Sequence, residues 1–477
     1  MPIKIDHAIT PQKLLRKLEK LFELSGAKIL SLQKTWKPSD GTPVFTIKGK
    51  YTSRGWTEWT QGFQFGSAAL QFDATGERQF LELGRRATVE SMAPHLTHMG
   101  VHDHGFNNIS TYGNLWRLMR EGRIPFDEHE KNFYELALKV SGAVQAARWS
   151  KTSSGGGYIY SFNGPQSLFI DTMRSLRSLA VAHQLGHVLM GERDQEISLL
   201  ERLLLHAASS AGFSVYYGKG RDAYDVPGRV AHESVFNVND GQYRCPNSQQ
   251  GYSPFSTWTR GLAWAVLGFA EELEFLETLR ERELAGLSLG APVSGRGVSR
   301  FRGAAVIKEM FLTAATVTAD FYISHACADG IPMWDTGAPN LPQLGDFVDK
   351  PADPFNSCEP VDSSAAAIAA QGLLRLGNCL LAKGEKKNGV RYRQAGLTVA
   401  GTLLDEPYLS ADIKHQGLLL HSVYHRPNGW DFIAPGQKVP NGESSMWGDY
   451  HARELALLVL REARHKPYPV FFDPAAS

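Results

Sequence analysis

The sequence predicts an all-α protein whose helices close into an α/α toroid, six helices inside and six outside. Three observations predict it. Apolar residues recur at spacings of three and four through most of the chain. Strict apolar–polar alternation is rare, with Gly157 to Phe162 one short candidate strand. No regular succession of strand and helix patterns supports a parallel sheet.

Taken in order, Leu14, Leu15, Leu18, Leu21 and Phe22 make an amphipathic opening helix. It lies in a segment, 1–50, that reads as an extension packed on a barrel of residues 51–477. Helical stretches follow near 61–76, 77–92, 106–121, 128–149, 168–190 and 194–211, and then near 256–279, 302–327, 361–383, 390–405, 410–422 and 444–464. About a dozen helices therefore remain once the opening one is set aside. Their loops are unequal and rich in Gly, Pro and aromatics; in a toroid such loops gather at one end and build a site there.

The helix near 256–279 shows the packing expected. Ser256 is its N-cap candidate. Trp258, Leu262, Val266, Phe269, Leu273 and Leu276 form one stripe, while Arg260 and Trp264 face elsewhere. A helix with demands on two faces suits the inner ring. The segment leading into it, QGYSPFSTWTRGLAW, places a guanidinium and an indole four residues apart at the helix start. Arg260 can grip a carboxylate with two parallel hydrogen bonds, and Trp264 offers a flat surface to a ring. An anionic cyclic ligand fits that pair.

The chain has 477 residues, 43% of them hydrophobic and 21% charged, which is ordinary for a globular protein. A net charge of +1 without a basic block argues against nucleic acid or a membrane surface as partner. The N-terminus reads as no signal peptide, and no apolar run is expected to reach the roughly 20 residues that span a bilayer. Cys245, Cys327, Cys358 and Cys379 are far apart and read as reduced thiols of a cytoplasmic protein.

Two aspartates carry the candidate chemistry. Asp103, in HMGVHDHGFNN, leads into a helix and is either its cap or a site carboxylate. Asp171 enters an apolar helix behind Leu168, Phe169 and Ile170. Buried without a cation, it would have a raised pKa, as suits a group that donates and then accepts a proton near neutrality. Arg174, one turn on, is the group that would instead pair with it, and an exposed Asp171 would simply cap. His232, Tyr243 and Gln250 sit in loop-rich stretches suited to sugar hydroxyls and rings. Asp362 reads as the cap of an alanine-rich inner helix. No metal or cofactor is expected: His102 and His104 lack a distant third ligand, and His183 and His187 enclose Gln184 where a zinc helix carries glutamate. Gly155 to Gly157 lacks the Lys-Ser/Thr of a phosphate loop.

At these residues the sequence resembles glycoside hydrolase family 88, the unsaturated glucuronyl hydrolases, and more distantly the family 105 unsaturated rhamnogalacturonyl hydrolases. The resemblance runs from about residue 55 to about 462. Its markers are WTQGFQFG (59–66), HDHGF (102–106), FIDTM (169–173), QGYSPFSTWTRGLAW (250–264), IPMWDT (331–336), DSSAAAIAA (362–370) and MWGDY (446–450).

What the resemblance implies is an (α/α)6 barrel that removes a 4,5-unsaturated uronic acid from the non-reducing end of an acidic oligosaccharide, as monomer or small homo-oligomer. The implied reaction hydrates the enol-ether double bond, after which the product opens and releases the remaining sugar. By the same resemblance Asp171 is the general acid/base and Asp103 the second essential aspartate. Arg260 and Trp264 hold the carboxylate and ring, with Trp59, His102, His232, Gln250 and Tyr424 lining the pocket. The chain departs from the pattern at His104, at Arg174 and Arg177, and at Thr336. The first two departures imply extra cationic potential beside the site.

Other readings use the same residues. An inverting glycosidase on a saturated acidic saccharide would employ the aspartates as an acid/base pair. A sugar isomerase or epimerase would depend on His232 or His425. A carbohydrate-binding protein would bind without turnover.

Overall fold

A computed structural model describes residues 2–55, 58–292 and 298–472. The last positions of the expected barrel, 473–477, lie outside them. Among the described residues six helical segments form a closed inner ring, each packed on the next. They are Gln61–Thr75; His104–Asn108, continued by Ile109–Gly113 and Asn114–Arg120; Thr172–Ser175 with Arg177–Gln184; Thr259–Thr278; Ser363–Ala382; and Met446–Ala463. Six more cover them: Pro11–Thr35, Arg78–Ser91, Glu128–Ala147, Leu199–Ser209, Ala304–His325 and Lys386–Leu403. The protein is an (α/α)6 barrel.

The dozen is reached with Pro11–Thr35 and without 410–422. Leu14, Leu18, Leu21 and Phe22 bury the first helix against both Met446–Ala463 and Gln61–Thr75, so it closes the outer layer where the ring meets itself. The stretch 410–422 is loop, because its amides are spent elsewhere. The Asp449 carboxylate accepts the N–H groups of Leu418 and Leu419 at 2.8 Å, which removes the donors an α-helical ladder needs.

Inner-ring packing uses small residues. A Cβ at Gly372 would stand 2.7 Å from the backbone nitrogen of Leu267, so Ser363–Ala382 and Thr259–Thr278 approach to backbone contact only because that position is glycine. Ser363–Ala382 is also long and apolar enough to cross a membrane by length and composition, contrary to the expectation that no run would be. It is 83% buried inside the fold and serves as a core helix.

Short strands fill the loops. The expected strand at 157–162 is confined to Gly157–Ile159, paired with Trp149–Lys151. The helical stretch expected over 168–190 divides in two, a strand at Ser167–Phe169 and a helical part from Thr172 to Gln184. That strand pairs with Glu233–Phe236, which pairs with Tyr243–Asn247. Ile170 N–H then donates to the carbonyl of His232 at 3.0 Å. This small sheet ties together the loops that carry Asp171, His232 and Gln250.

Candidate active site

The N-terminal ends of the inner helices meet around one cavity of about 660 Å³. Trp59 precedes the first inner helix, and Asp103 and Asp171 start the second and third. Arg260 and Trp264 lie in the first turns of the fourth. The last two helices reach the same place through their own first residues. Asp362 pairs with Arg260 at 3.2 Å, and Trp447 stacks on Trp59 with ring centroids 5.1 Å apart. Converging helix N-termini give the cavity a positive partial charge that favours an anion.

Asp103 and Asp171 both stand at N-cap positions, yet neither side chain accepts a bond from its own helix. Asp362 and Ser445 cap theirs in the ordinary way. The capping reading thus fails for the two aspartates, whose carboxylates face the cavity instead. His102 stands between them: its Nε2 lies 3.6 Å from Asp103 Oδ1 and 3.8 Å from Asp171 Oδ2.

The electrostatics correct the expectation for Asp171. Burial pushes its carboxyl up, but the nearby His102, 3.8 Å away, outweighs burial and leaves the pKa lowered. Asp103 is the carboxyl that ends up raised, by burial first and by the nearby Asp171 charge, against the pull of His102. His102 is raised in turn: burial opposes its charged form, and the two aspartates overcome it. The charge of each group shifts the others, so the three titrate together.

Every expected site residue lines this cavity except His232. That imidazole is buried behind the wall, packed on Phe169 and Trp258 with centroids 4.5 and 4.6 Å away. Its Nδ1 accepts the N–H groups of Gln249 at 3.0 Å and Gln250 at 3.3 Å, which places the ring proton on Nε2. Burial lowers its pKa to about 4, so the ring is neutral. Tyr243 lies away from the cavity, packed with Phe213 and Phe236.

Arg260 is less free than a two-pronged clamp requires. Its Nη1 donates to Asp362 and to the Val423 carbonyl, and its Nη2 donates to Gln250 Oε1 and the Tyr424 carbonyl, both at 2.8 Å. The guanidinium is also sandwiched between Trp258 and Trp447, 4.6 and 4.7 Å from their ring centroids. Of its partners at the terminal nitrogens, Gln250 is the neutral, rotatable one that a ligand carboxylate can displace. Trp264 is 1% exposed and packs on Phe106 and His451, forming floor more than open face. The helix itself begins at Thr259 after Trp258, and Ser256 bonds to Ser253 instead of capping it.

The expected extra cationic potential is absent. Burial lowers His104 to about 4, and its ring nitrogens are engaged by Ser141 and the His98 carbonyl. Arg174 and Arg177 point into the barrel, where Glu271 and Glu454 pair with them. Thr336 does not line the cavity; its hydroxyl accepts the Thr257 N–H at 3.0 Å. Among the described residues no group of three or more His, Cys, Asp or Glu is arranged to hold a metal.

Several lining residues escaped the sequence reading, Arg54, Glu58, Phe162 and Trp430 among them, while His425 entered it only through the isomerase alternative. Arg54 and Glu58 lie in the loop that leads to the first inner helix, ahead of its N-cap Thr60, and that position close to a helix start is the signal that could have found them. Trp430 comes from a loop without periodicity, and the sequence offers no comparable signal for it.

No family model matches the chain. An unsaturated glucuronyl hydrolase of Bacillus sp. (strain GL1) is 25% identical over 422 residues, covering 86% of this chain and 89% of that protein. An unsaturated chondroitin disaccharide hydrolase of Streptococcus agalactiae serotype III (strain NEM316) is 21% identical over 438 residues, 87% and 84% of the two chains. The crystal structure of the unsaturated glucuronyl hydrolase from Bacillus sp. GL1 superposes with a TM-score of 0.68 at 21% identity, covering 95% of this chain and 99% of that one. Along most of its length this protein is similar to unsaturated glucuronyl hydrolases, and it shares their barrel.

Proposed function

We propose that this protein is a glycoside hydrolase that removes a 4,5-unsaturated uronic acid from the non-reducing end of acidic oligosaccharides by hydrating its C4=C5 bond. The observation that carries the reading is the pair of buried, non-capping aspartates held on either side of His102 in one anion-favouring cavity. In this reading the uronate carboxylate enters beside Arg260 and displaces Gln250 from it. A second negative charge in the buried cavity opposes ionised Asp171 and drives it towards its protonated form, with His102 as the neighbouring proton source.

Asp171 then delivers its proton to C4, and the resulting carboxylate takes a proton from water as the oxygen bonds to C5. The product is a hemiketal. It opens by breaking the bond from C5 to its ring oxygen, and the chain rearranges to expel the remaining sugar as an alcohol. Asp103 accepts hydrogen bonds from the sugar hydroxyls and holds the proton on His102 until Asp171 takes it. The names of the relatives, glucuronyl and chondroitin disaccharide hydrolases, support the substrate class. We place the enzyme in the cytoplasm, a reading supported by its free thiols Cys245, Cys327, Cys358 and Cys379.

The test is loss of the ultraviolet absorbance of the unsaturated uronate when disaccharides made by polysaccharide lyases are added. Saturated disaccharides should remain intact. Release of sugar from the saturated compounds at a comparable rate would instead favour an inverting glycosidase.

A further inference from the structure

Asp335 is fully buried, lies outside the cavity lining, and has no part in the chemistry above. It follows helix Ala304–His325 in the IPMWDT stretch, alongside the loop 248–258. One carboxylate oxygen, Oδ2, accepts the Tyr252 N–H at 2.8 Å; the other accepts the Gly337 N–H at 2.9 Å. The strap is reinforced by a backbone bridge between Trp258 and Asp335 and by the Thr336 N–H donating to the Thr257 carbonyl at 3.0 Å. The fit is close: a Cβ at Gly251 would stand 2.9 Å from Asp335 Oδ2 and 2.5 Å from Ser248 Oγ.

The same loop serves the cavity from its other side. Two and three residues before Tyr252, Gln250 and Gln249 give their N–H groups to His232 and fix its tautomer, and the Gln250 side chain holds Arg260. We propose that Asp335 is a positioning residue of the active site, holding residues 248–252 so that Gln250, His232 and Arg260 are set for the substrate before it arrives. The ionised carboxylate is the form that accepts both amides. Burial raises its pKa to about 6, with the charge of Glu359 adding to the rise and hydrogen bonds from Ser256, Gly337 and Tyr252 opposing it. Glu359 is held by the Trp334 indole N–H at 2.8 Å and by Asn340. Protonation of Asp335 gives up acceptor capacity, and the strap loosens on the side that bears Gln250.

The kinetic arm of the test rests on the hydrolase reading; the exchange arm does not. In substrate-free Asp335→Asn, hydrogen exchange at the Gln249, Gln250 and Tyr252 amides should quicken by about tenfold while the rest of the barrel exchanges as in the wild type. KM for an unsaturated disaccharide should rise about tenfold with kcat held within about twofold. Wild-type KM should rise as pH falls through about 6. Unchanged exchange at those amides overturns the proposal, and so does uniformly faster exchange, which would mark Asp335 as a stabiliser of the whole fold. If the variant fails to fold, wild-type KM decides, and a KM flat across that pH range overturns it. A wild-type protein inactive on the disaccharide defeats the proposed function but leaves the exchange result to be read.

Discussion

Arg260, in the cavity wall, faces Asp362 behind it, Nη1 to Oδ2 at 3.2 Å, with both side chains sealed from solvent. The carboxylate does two tasks: its other oxygen caps helix Ser363–Ala382 through the Ser364 N–H at 3.0 Å. A guanidinium so held presents its charge to the cavity from a fixed place. Asp362→Ala would leave the cation buried and unpaired, a change that typically costs about 3–5 kcal/mol. Denaturant unfolding should show that loss. A variant as stable as wild type would mean that Arg260 does not depend on this partner.

Asp171 should be separable from the fold. Its Oδ1 is buried without a hydrogen-bond partner, so an amide of the same shape breaks little there. Asp171→Asn should lower kcat by about 10²–10⁴-fold, the usual span for a lost general acid/base, while the variant still folds, with its thermal midpoint reduced only by the lost attraction to His102. Turnover near wild type would remove Asp171 from the mechanism.

The cluster around His102 sets a pH dependence in both activity and stability. His102 is raised above its ordinary 6.5, so its contribution to stability is full below that value and lost as pH rises through the raised one. Asp171 is lowered below its ordinary 3.8, so its contribution is present above that value and lost as pH falls through the lowered one. Activity that needs the proton of the cluster should therefore decline on the alkaline side, beyond 6.5. His102→Gln should abolish that alkaline limb. A limb of unchanged midpoint in the variant would assign it to another group.

Charge selection at the mouth should rest on Arg54 and not on His104. Of the two arginines among the described residues that line the cavity, only Arg54 is exposed, lying over Trp430 at 4.8 Å and Tyr424 at 5.5 Å from their ring centroids. Arg54→Ala should raise KM for an acidic disaccharide by about three- to tenfold and flatten its dependence on ionic strength. His104→Gln should leave that dependence as it is, since the imidazole is neutral already. Equal salt dependence in wild type and Arg54→Ala would exclude Arg54 from substrate attraction.

The ring of helices was legible because helical burial repeats: Trp258, Leu262, Val266 and Phe269 announce their helix whatever surrounds it. What periodicity misjudged was local competition. Residues 410–422 have a helical apolar pattern, but the amides of Leu418 and Leu419 go to a carboxylate about thirty residues on in the chain, Asp449, and that of Gln416 goes to the Gly49 carbonyl. Strands as short as Ser167–Phe169 cannot display alternation at all. The site was legible where a polar residue interrupts an apolar helix start, as Asp103 and Asp171 do. Protonation was not, because the lowering of Asp171 depends on His102, far away in sequence and 3.8 Å away in space. Arg174 and Arg177 misled for the same reason: their partners Glu271 and Glu454 belong to other helices.

The helix Pro11–Thr35 lies in the seam between the first inner helix and the last. A ribosome makes it well before its partner Met446–Ala463. Until that helix emerges, Leu14, Leu18, Leu21 and Phe22 have only half a berth, and the ring stands open like an unfastened belt. The nascent chain cannot settle hairpin by hairpin to its final state; the buckle closes only when the two ends meet. Mutations on that seam should therefore slow maturation in the cell more than their cost to the finished barrel would suggest.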